Sequence, residues 1–227
     1  MPKKFEKEFI SFCENQNLEV NPNQIKLIKE LEDYYRSNYK SFFSKLFSKQ
    51  KSKKGFYLYG GVGVGKTMIL NFFYDHLKEK KLKKHFNEFM VGFHDFVHEQ
   101  KGKNEENIIN QFVKNLKSKA SLVYFDEFQV TNIVDAMILG KLFEKIYKED
   151  IKIILTSNTK ISELYKEGLQ REQFIPFIKI MEDQSIEYEL KIEDDYRKSN
   201  DNQKQRYFFP LNQEKIGRAH VRTPVTA

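Results

Sequence analysis

The sequence predicts an α/β fold, a parallel central sheet flanked by helices, on three observations. Short apolar runs at residues 56–59, 121–125 and 151–155, rich in Phe, Tyr, Ile, Val and Leu, read as strands buried on both faces. Stretches with helical periodicity separate them, the alternation that builds parallel sheets. The first run passes directly into a glycine-rich turn and then a helix, so residues 56–73 make a strand–loop–helix unit.

Residues 1–54 carry no strand signal and read as an N-terminal helical extension. Within it Ile25, Ile28, Leu31 and Tyr35 recur at helical spacing and predict a helix over about 22–38. Residues 42–54 set Phe42, Phe43, Leu46 and Phe47 beside Lys45, Lys49, Lys51, Lys53 and Lys54. Such a segment can touch an acidic membrane surface or a partner, but a solvated linker into the first strand is the preferred reading.

The strand at 56–59 leads into Gly60-Gly61-Val62-Gly63-Val64-Gly65-Lys66-Thr67, which keeps the spacing G-x-x-x-x-G-K-[ST] in its required strand-to-helix context. Glycines let such a loop turn tightly with its N–H groups facing inward, and the helix N-terminus behind it adds a further anion cradle. On this pattern Lys66 reaches the β- and γ-phosphates of a nucleotide, and the Thr67 hydroxyl ligates Mg²⁺. A ligand-free glycine turn would not require strand, loop, Lys-Thr pair and helix to coincide.

A helix is expected from the loop to about Lys80, a short strand at 83–87, and helices at 88–100 and 104–117 broken at Gly102. His94 and His98 share a helix face at i and i+4. A metalloprotease pattern needs Glu after the first His; Asp95 stands there and no third ligand is apparent, so a packed or solvated face is preferred. Next, Ser121-Leu122-Val123-Tyr124-Phe125 delivers Asp126 and Glu127 at a strand's C-terminal end, where open α/β sheets bind ligands. Asp126 is placed in the Mg²⁺ shell, and Glu127 as general base for the attacking water.

Thr131 or Asn132 caps a helix expected to turn Ile133, Val134, Met137, Leu142, Phe143 and Ile146 inward. The strand at 151–156 ends in Ser157-Asn158. If it neighbours the 121–127 strand, Asn158 orients the water or senses the γ-phosphate; otherwise it caps the next turn. A short helix over 161–167 closed by Gly168, a second helical stretch from Leu169, and a last strand at 185–190 follow. Residues 193–206 are polar and loop-like, 207–211 are expected to open a further element, and no internal repeat is visible.

At 227 residues, with 40% hydrophobic residues, 21 Phe and 12 Tyr, the chain suits one large domain with appendages. The single cysteine, Cys13, excludes an internal disulfide, fits a reducing compartment and reads as packing rather than a nucleophile. No apolar run approaches the roughly 20 residues that span a bilayer. The acidic residues near the N-terminus speak against a secretory or mitochondrial leader, so a cytoplasmic protein is expected. Residues 216–226 differ in composition from the chain before them and read like one frame of a sequencing adapter, so the native reading is expected to end near Glu214 or Lys215. Removing Lys215, Arg218 and Arg222 leaves 36 basic residues against 32 acidic ones, weak support for a nucleic-acid partner.

Together, 55–67, His85-Phe86-Asn87-Glu88-Phe89-Met90, Phe125-Asp126-Glu127-Phe128-Gln129-Val130-Thr131, 135–140, Thr156-Ser157-Asn158 and Gly168-Leu169-Gln170-Arg171 resemble the ZapE-type branch of AAA+ P-loop ATPases. The resemblance covers about residues 20–197, and its Phe-Asp-Glu-Phe-Gln-Val and Gly-Leu-Gln-Arg segments are more specific than the phosphate loop. It implies ATP and Mg²⁺, a homo-oligomeric ATPase, and for bacterial members an association with the division protein FtsZ or its machinery. It implies an ATPase core over 55–197, the start of a C-terminal region over 198–214, and a helical lid beyond, which this sequence lacks. Arg171 is the candidate arginine finger acting in trans, with Arg197 its competitor and a surface or helix-N-terminal salt bridge the plainer alternative. Two other functions fit less well: a nucleic-acid-directed ATPase of the replication-loader kind, which needs a basic, stacking groove, and a nucleotide-binding scaffold without turnover, against which the acids Asp126 and Glu127 weigh.

Overall fold

The computed structural model describes residues 4–39, 52–100, 102 and 104–191. The basic segment over 42–51, Arg197, the polar stretch 193–206, and the regions assigned to 198–214 and 215–227 lie outside the described residues.

The described residues form one five-stranded sheet: β1 (Gly55–Tyr59), β2 (Lys81–His85), β3 (Leu122–Asp126), β4 (Lys152–Ser157) and β5 (Ser185–Glu189), in the order β2-β3-β4-β1-β5. Every neighbouring pair is parallel. The helices are α1 (Lys4–Asn15), α2 (Pro22–Tyr39), α3 (Lys66–Asp75), α4 (Phe86–Glu99), α5 (Glu105–Lys119), α6 (Ile133–Lys148) and α7 (Arg171–Gln184). Because strand side chains alternate between faces, the apolar runs feed two cores at once. Tyr57, Val123, Phe125, Ile153 and Leu155 pack with α4, α5, α6 and α7 on one face. Phe56, Leu58, Leu122, Tyr124 and Ile154 pack with α1, α2 and α3 on the other.

The N-terminal helices belong to the second layer. Phe5 and Phe9 of α1 and Leu27, Ile28, Leu31 and Tyr34 of α2 share one buried cluster with β1 and α3. The Tyr34 hydroxyl donates to the Lys54 carbonyl at 2.7 Å and the Asn38 amide to the Lys53 carbonyl at 3.0 Å, so α2 fixes the backbone entering β1. Cys13 is buried in the same cluster; burial first, and the charge of Glu14 second, push its thiol pKa up.

Several local expectations shift. Helix α3 ends at Asp75, not near Lys80, because Lys81 Nζ collects the carbonyls of Tyr74, Asp75 and Leu77 and turns the chain there. Strand β2 therefore starts at Lys81, two residues early; as an edge strand reading Lys-Leu-Lys-Lys-His it gives little apolar signal. Phe86 opens α4 instead of extending that strand, since its ring is buried 4.3 Å from Phe128. On α6, Val134 and Met137 do not face inward: they are 56% and 53% exposed, while Ala136 and Leu139 take the buried positions. The expected helix over 161–167 reduces to a 3-10 turn, Ile161–Glu163, because Tyr165 adopts φ 53° and leaves the helical region.

Phe9 is fully buried and stacks near Phe12 and edge-on to Phe72. Phe9→Ala is therefore expected to cost about 3–5 kcal/mol in chemical denaturation of the main transition. An independent N-terminal extension would leave that transition in place.

Candidate active site

The parallel sheet puts the C-terminal ends of all five strands on one edge, and the chain leaves β1 on the α3 face but reaches β5 by the opposite face. Ligands of open α/β sheets bind outside such a switch point. The loop Gly60–Thr67 emerges there. Gly65 adopts φ 88° as the residue capping α3, and a Cβ on it would meet Gln24 Nε2 at 2.9 Å. Gly60, at φ 153°, lies so close to the strand end that a Cβ would meet the Leu190 carbonyl oxygen at 2.4 Å. At Gly60 the neighbour is backbone, so packing itself requires the glycine; at Gly65 the neighbour is a movable side-chain end, and the positive φ is what requires it. From below, Gln24 of α2 donates to the Val64 carbonyl at 3.3 Å.

Lys66 is buried and directs Nζ at the carbonyls of Gly60 and Gly61, each at 2.7 Å, and at Asn158 Oδ1 at 3.1 Å. Burial lowers its ammonium pKa below the ordinary lysine value, with the Asp126 carboxylate opposing that shift. Asn158, exposed at the end of β4, is thus brought to the loop lysine because β4 lies between β3 and β1. A cleft of about 350 Å³ opens beside it, lined by Tyr59, Gly60, Glu163 and Glu189 among others.

Asp126 is the meeting point. Its Oδ1 accepts from Thr67 Oγ1 at 3.3 Å, from Thr156 Oγ1 at 2.6 Å and from the Glu127 backbone N–H at 3.2 Å. Thr67 and Asp126 offer hard oxygen ligands side by side. Among the described residues no group of three His, Cys, Asp or Glu could hold a metal ion by itself. A Mg²⁺ ion bound by one carboxylate and one hydroxyl, completing its shell with phosphate oxygens and water, fits this donor set. Glu127 has φ 56°, outside the region a β-strand residue normally takes. Its N–H is held by Thr156 Oγ1 at 2.9 Å, and its carboxylate projects outward, 3.9 Å from His85 Nδ1.

A family model for the AFG1-like ATPases matches residues 12–221. The chain belongs to the AFG1-like ATPase family. It is 34% identical over 178 residues to the cell division protein ZapE of Escherichia coli, a match covering 75% of this chain and 46% of that protein. It is 38% identical over 146 residues to Lactation elevated protein 1 homolog B of Danio rerio, covering 60% of this chain and 29% of that one. The chain thus spans less than half the length of these two relatives. In structure it is similar to domain III of the Thermotoga maritima replication initiation protein DnaA, with TM-score 0.52 and 18% identity over 78% of this chain and 65% of the other. At that identity the likeness speaks to the fold alone.

Of the residues expected at this site, Lys66 meets Asn158 and Thr67 meets Asp126 through their side chains, and Glu127 follows Asp126 at the edge. Val62 is 88% exposed at the loop tip. Arg171 is not among them. It starts α7 and donates from Nη2 to the Ser162 carbonyl at 2.8 Å, a hydrogen bond to backbone and not the salt bridge that was its plainer alternative. His94 and His98 form no metal group; His94 Nε2 instead lies 2.6 Å from Asp135 Oδ1. Sequence reading missed Thr156 and Gln24. Thr156 was legible as the first residue of the Thr156-Ser157-Asn158 segment but carried no role there, and Gln24 had no local signal.

Thr156→Val keeps the shape of the side chain but removes the hydroxyl joining Asp126 to the Glu127 N–H. A loss of about 1.5–3 kcal/mol, typical of hydrogen bonds to charged groups, is expected in urea unfolding.

Proposed function

We propose that this chain is the nucleotide-hydrolysing core of an ATPase. The observation that carries the reading is the contact of Thr67 Oγ1 with Asp126 Oδ1 at 3.3 Å, which brings the phosphate loop and the acidic strand end to one point. In this reading the N–H groups of Gly60–Thr67 and the α3 N-terminus receive the phosphates, and Lys66 leaves its carbonyl partners to meet the β- and γ-oxygens. Thr67 and Asp126 would hold Mg²⁺, whose chemistry is to neutralise the developing phosphate charge. Glu127 accepts a proton from the attacking water, and Asn158, already at the Lys66 ammonium, orients that water or the terminal phosphate.

By resemblance to ZapE, the hydrolysis would serve a homo-oligomer that remodels a protein partner in the bacterial cytoplasm, FtsZ or another division protein. Arg171 would act in trans only after releasing the Ser162 carbonyl. The described lysines give little support to a nucleic-acid track, because several already bind carbonyls or acids. Lys53 binds the Glu182 and Ser185 carbonyls, Lys54 the Tyr147 carbonyl and Asp150, and Lys152 Asp150.

The test uses a protein of the relatives' full length. Lys66→Ala is expected to abolish nucleotide binding measured by calorimetry. Glu127→Gln is expected to keep binding while phosphate release falls about 10²–10⁴-fold, the range a general base contributes. Full turnover in that variant removes Glu127 from the role; DNA-stimulated hydrolysis with a steep salt dependence would favour a nucleic-acid-directed enzyme.

A further inference from the structure

The residues around Asp126 include one group that the proposed chemistry does not use. Tyr124 lies two residues earlier on β3, so its side chain shares a face with Asp126. Its register partner on β4 is Ile154, two residues before Thr156, so Tyr124 and Ile154 form the row directly beneath Asp126 and Thr156. That face is covered by α3, which carries Thr67. Tyr124 is 0% exposed, and its hydroxyl is buried with no hydrogen-bond partner.

An orphaned hydroxyl is costly in a dry interior, and most buried polar side chains find a partner. A Phe of the same shape would avoid that cost, and this chain uses Phe 21 times. Ring packing gives no reason for the oxygen, since Tyr74 at 6.0 Å and Lys83 Nζ at 5.3 Å meet the ring and not the hydroxyl. The polar groups acting on the hydroxyl are the Asp126 carboxylate and the hydroxyls of Thr156 and Thr67. A phenol hydroxyl is a hydrogen-bond donor and a carboxylate an acceptor.

We infer that Tyr124 is a positioning residue for the divalent cation of the nucleotide complex, its O–H steadying the Asp126 carboxylate as that group takes up the ion. Asp126 Oδ1 already accepts three donors, and an ion drawing on the carboxylate competes with them. A fourth donor from beneath keeps the group oriented. Outer partners of this kind change metal affinity by about 10–100-fold when removed. The inference rests on the reading of Thr67 and Asp126 as the ion's ligands, and the experiment separates the two.

A fluorescent non-hydrolysable ATP analogue is bound to the full-length protein and titrated with MgCl₂, for the unaltered sequence and for Tyr124→Phe, with thermal unfolding of both measured without nucleotide. Magnesium should tighten binding to the unaltered protein; if it does not, the ion site itself fails. With that dependence present, Tyr124→Phe should raise the half-saturating Mg²⁺ concentration about tenfold while its melting temperature stays level or rises. An unmoved Mg²⁺ midpoint, with or without a lower melting temperature, overturns the positioning role and leaves Tyr124 a packing residue.

Discussion

One carboxylate oxygen holds the site together. Asp126 Oδ1 receives a hydroxyl from the helix behind the phosphate loop, a hydroxyl from β4 and the backbone N–H of Glu127. These donors arrive from three segments far apart in sequence, and only a sheet in which β3 adjoins β4, and β4 adjoins β1, can supply them together. The apolar strand interiors favour that order, because β1, β3 and β4 are buried on both faces in the two cores. The chemistry proposed for the site thus depends on hydrophobic pairing several ångströms below it.

The phosphate loop is held by the same logic from the other side. Gln24 of α2 touches Gly65 and bonds the Val64 carbonyl, while the β5 exit abuts Gly60. Asn23 of α2 also donates to the Lys191 carbonyl just after β5 at 2.9 Å. Helix α2 therefore bridges the two flanks of the loop. A nest of N–H groups is useful for binding only if its shape survives without the ligand, and these contacts supply that preorganisation.

What could be read from sequence follows the strength of each local signal. The loop, β1, β3 and β4 were legible because a motif with fixed spacing sits between unbroken apolar runs, and Asp126 and Asn158 follow as residues at strand ends. The polar edge strand β2 was misplaced by two residues, since no apolar pattern marks where Lys81 starts to pair with Leu122. Val134 and Met137 were assigned inward because helical periodicity alone does not fix the phase of a helix; packing of Leu139, Phe143 and Ile146 fixes it. Thr156 and Gln24 were missed for a different reason. Their roles exist only through neighbours 30 and 40 residues away, which a linear pattern does not contain.

Glu127 shows how the fold and the proposed reaction meet. A left-handed backbone at a glutamate is unfavourable, of order 1–3 kcal/mol, and persists only where the surroundings enforce it. Here both sides do. Before it, β3 is locked in the sheet; after it, Phe128 donates its N–H to the Thr156 carbonyl at 2.7 Å, and its carbonyl accepts from Ser157 Oγ at 3.0 Å. The Phe128 ring is buried against Phe86, Phe143, Phe177 and Tyr57. With its backbone pinned between these anchors, residue 127 turns its side chain out of the sheet into solvent beside Asp126, where the base proposed for the water would stand. A relaxed strand residue would continue the alternation and bury its carboxylate in the α4–α7 core, so the strain at Glu127 is what separates the group proposed to activate water from the group proposed to hold the ion.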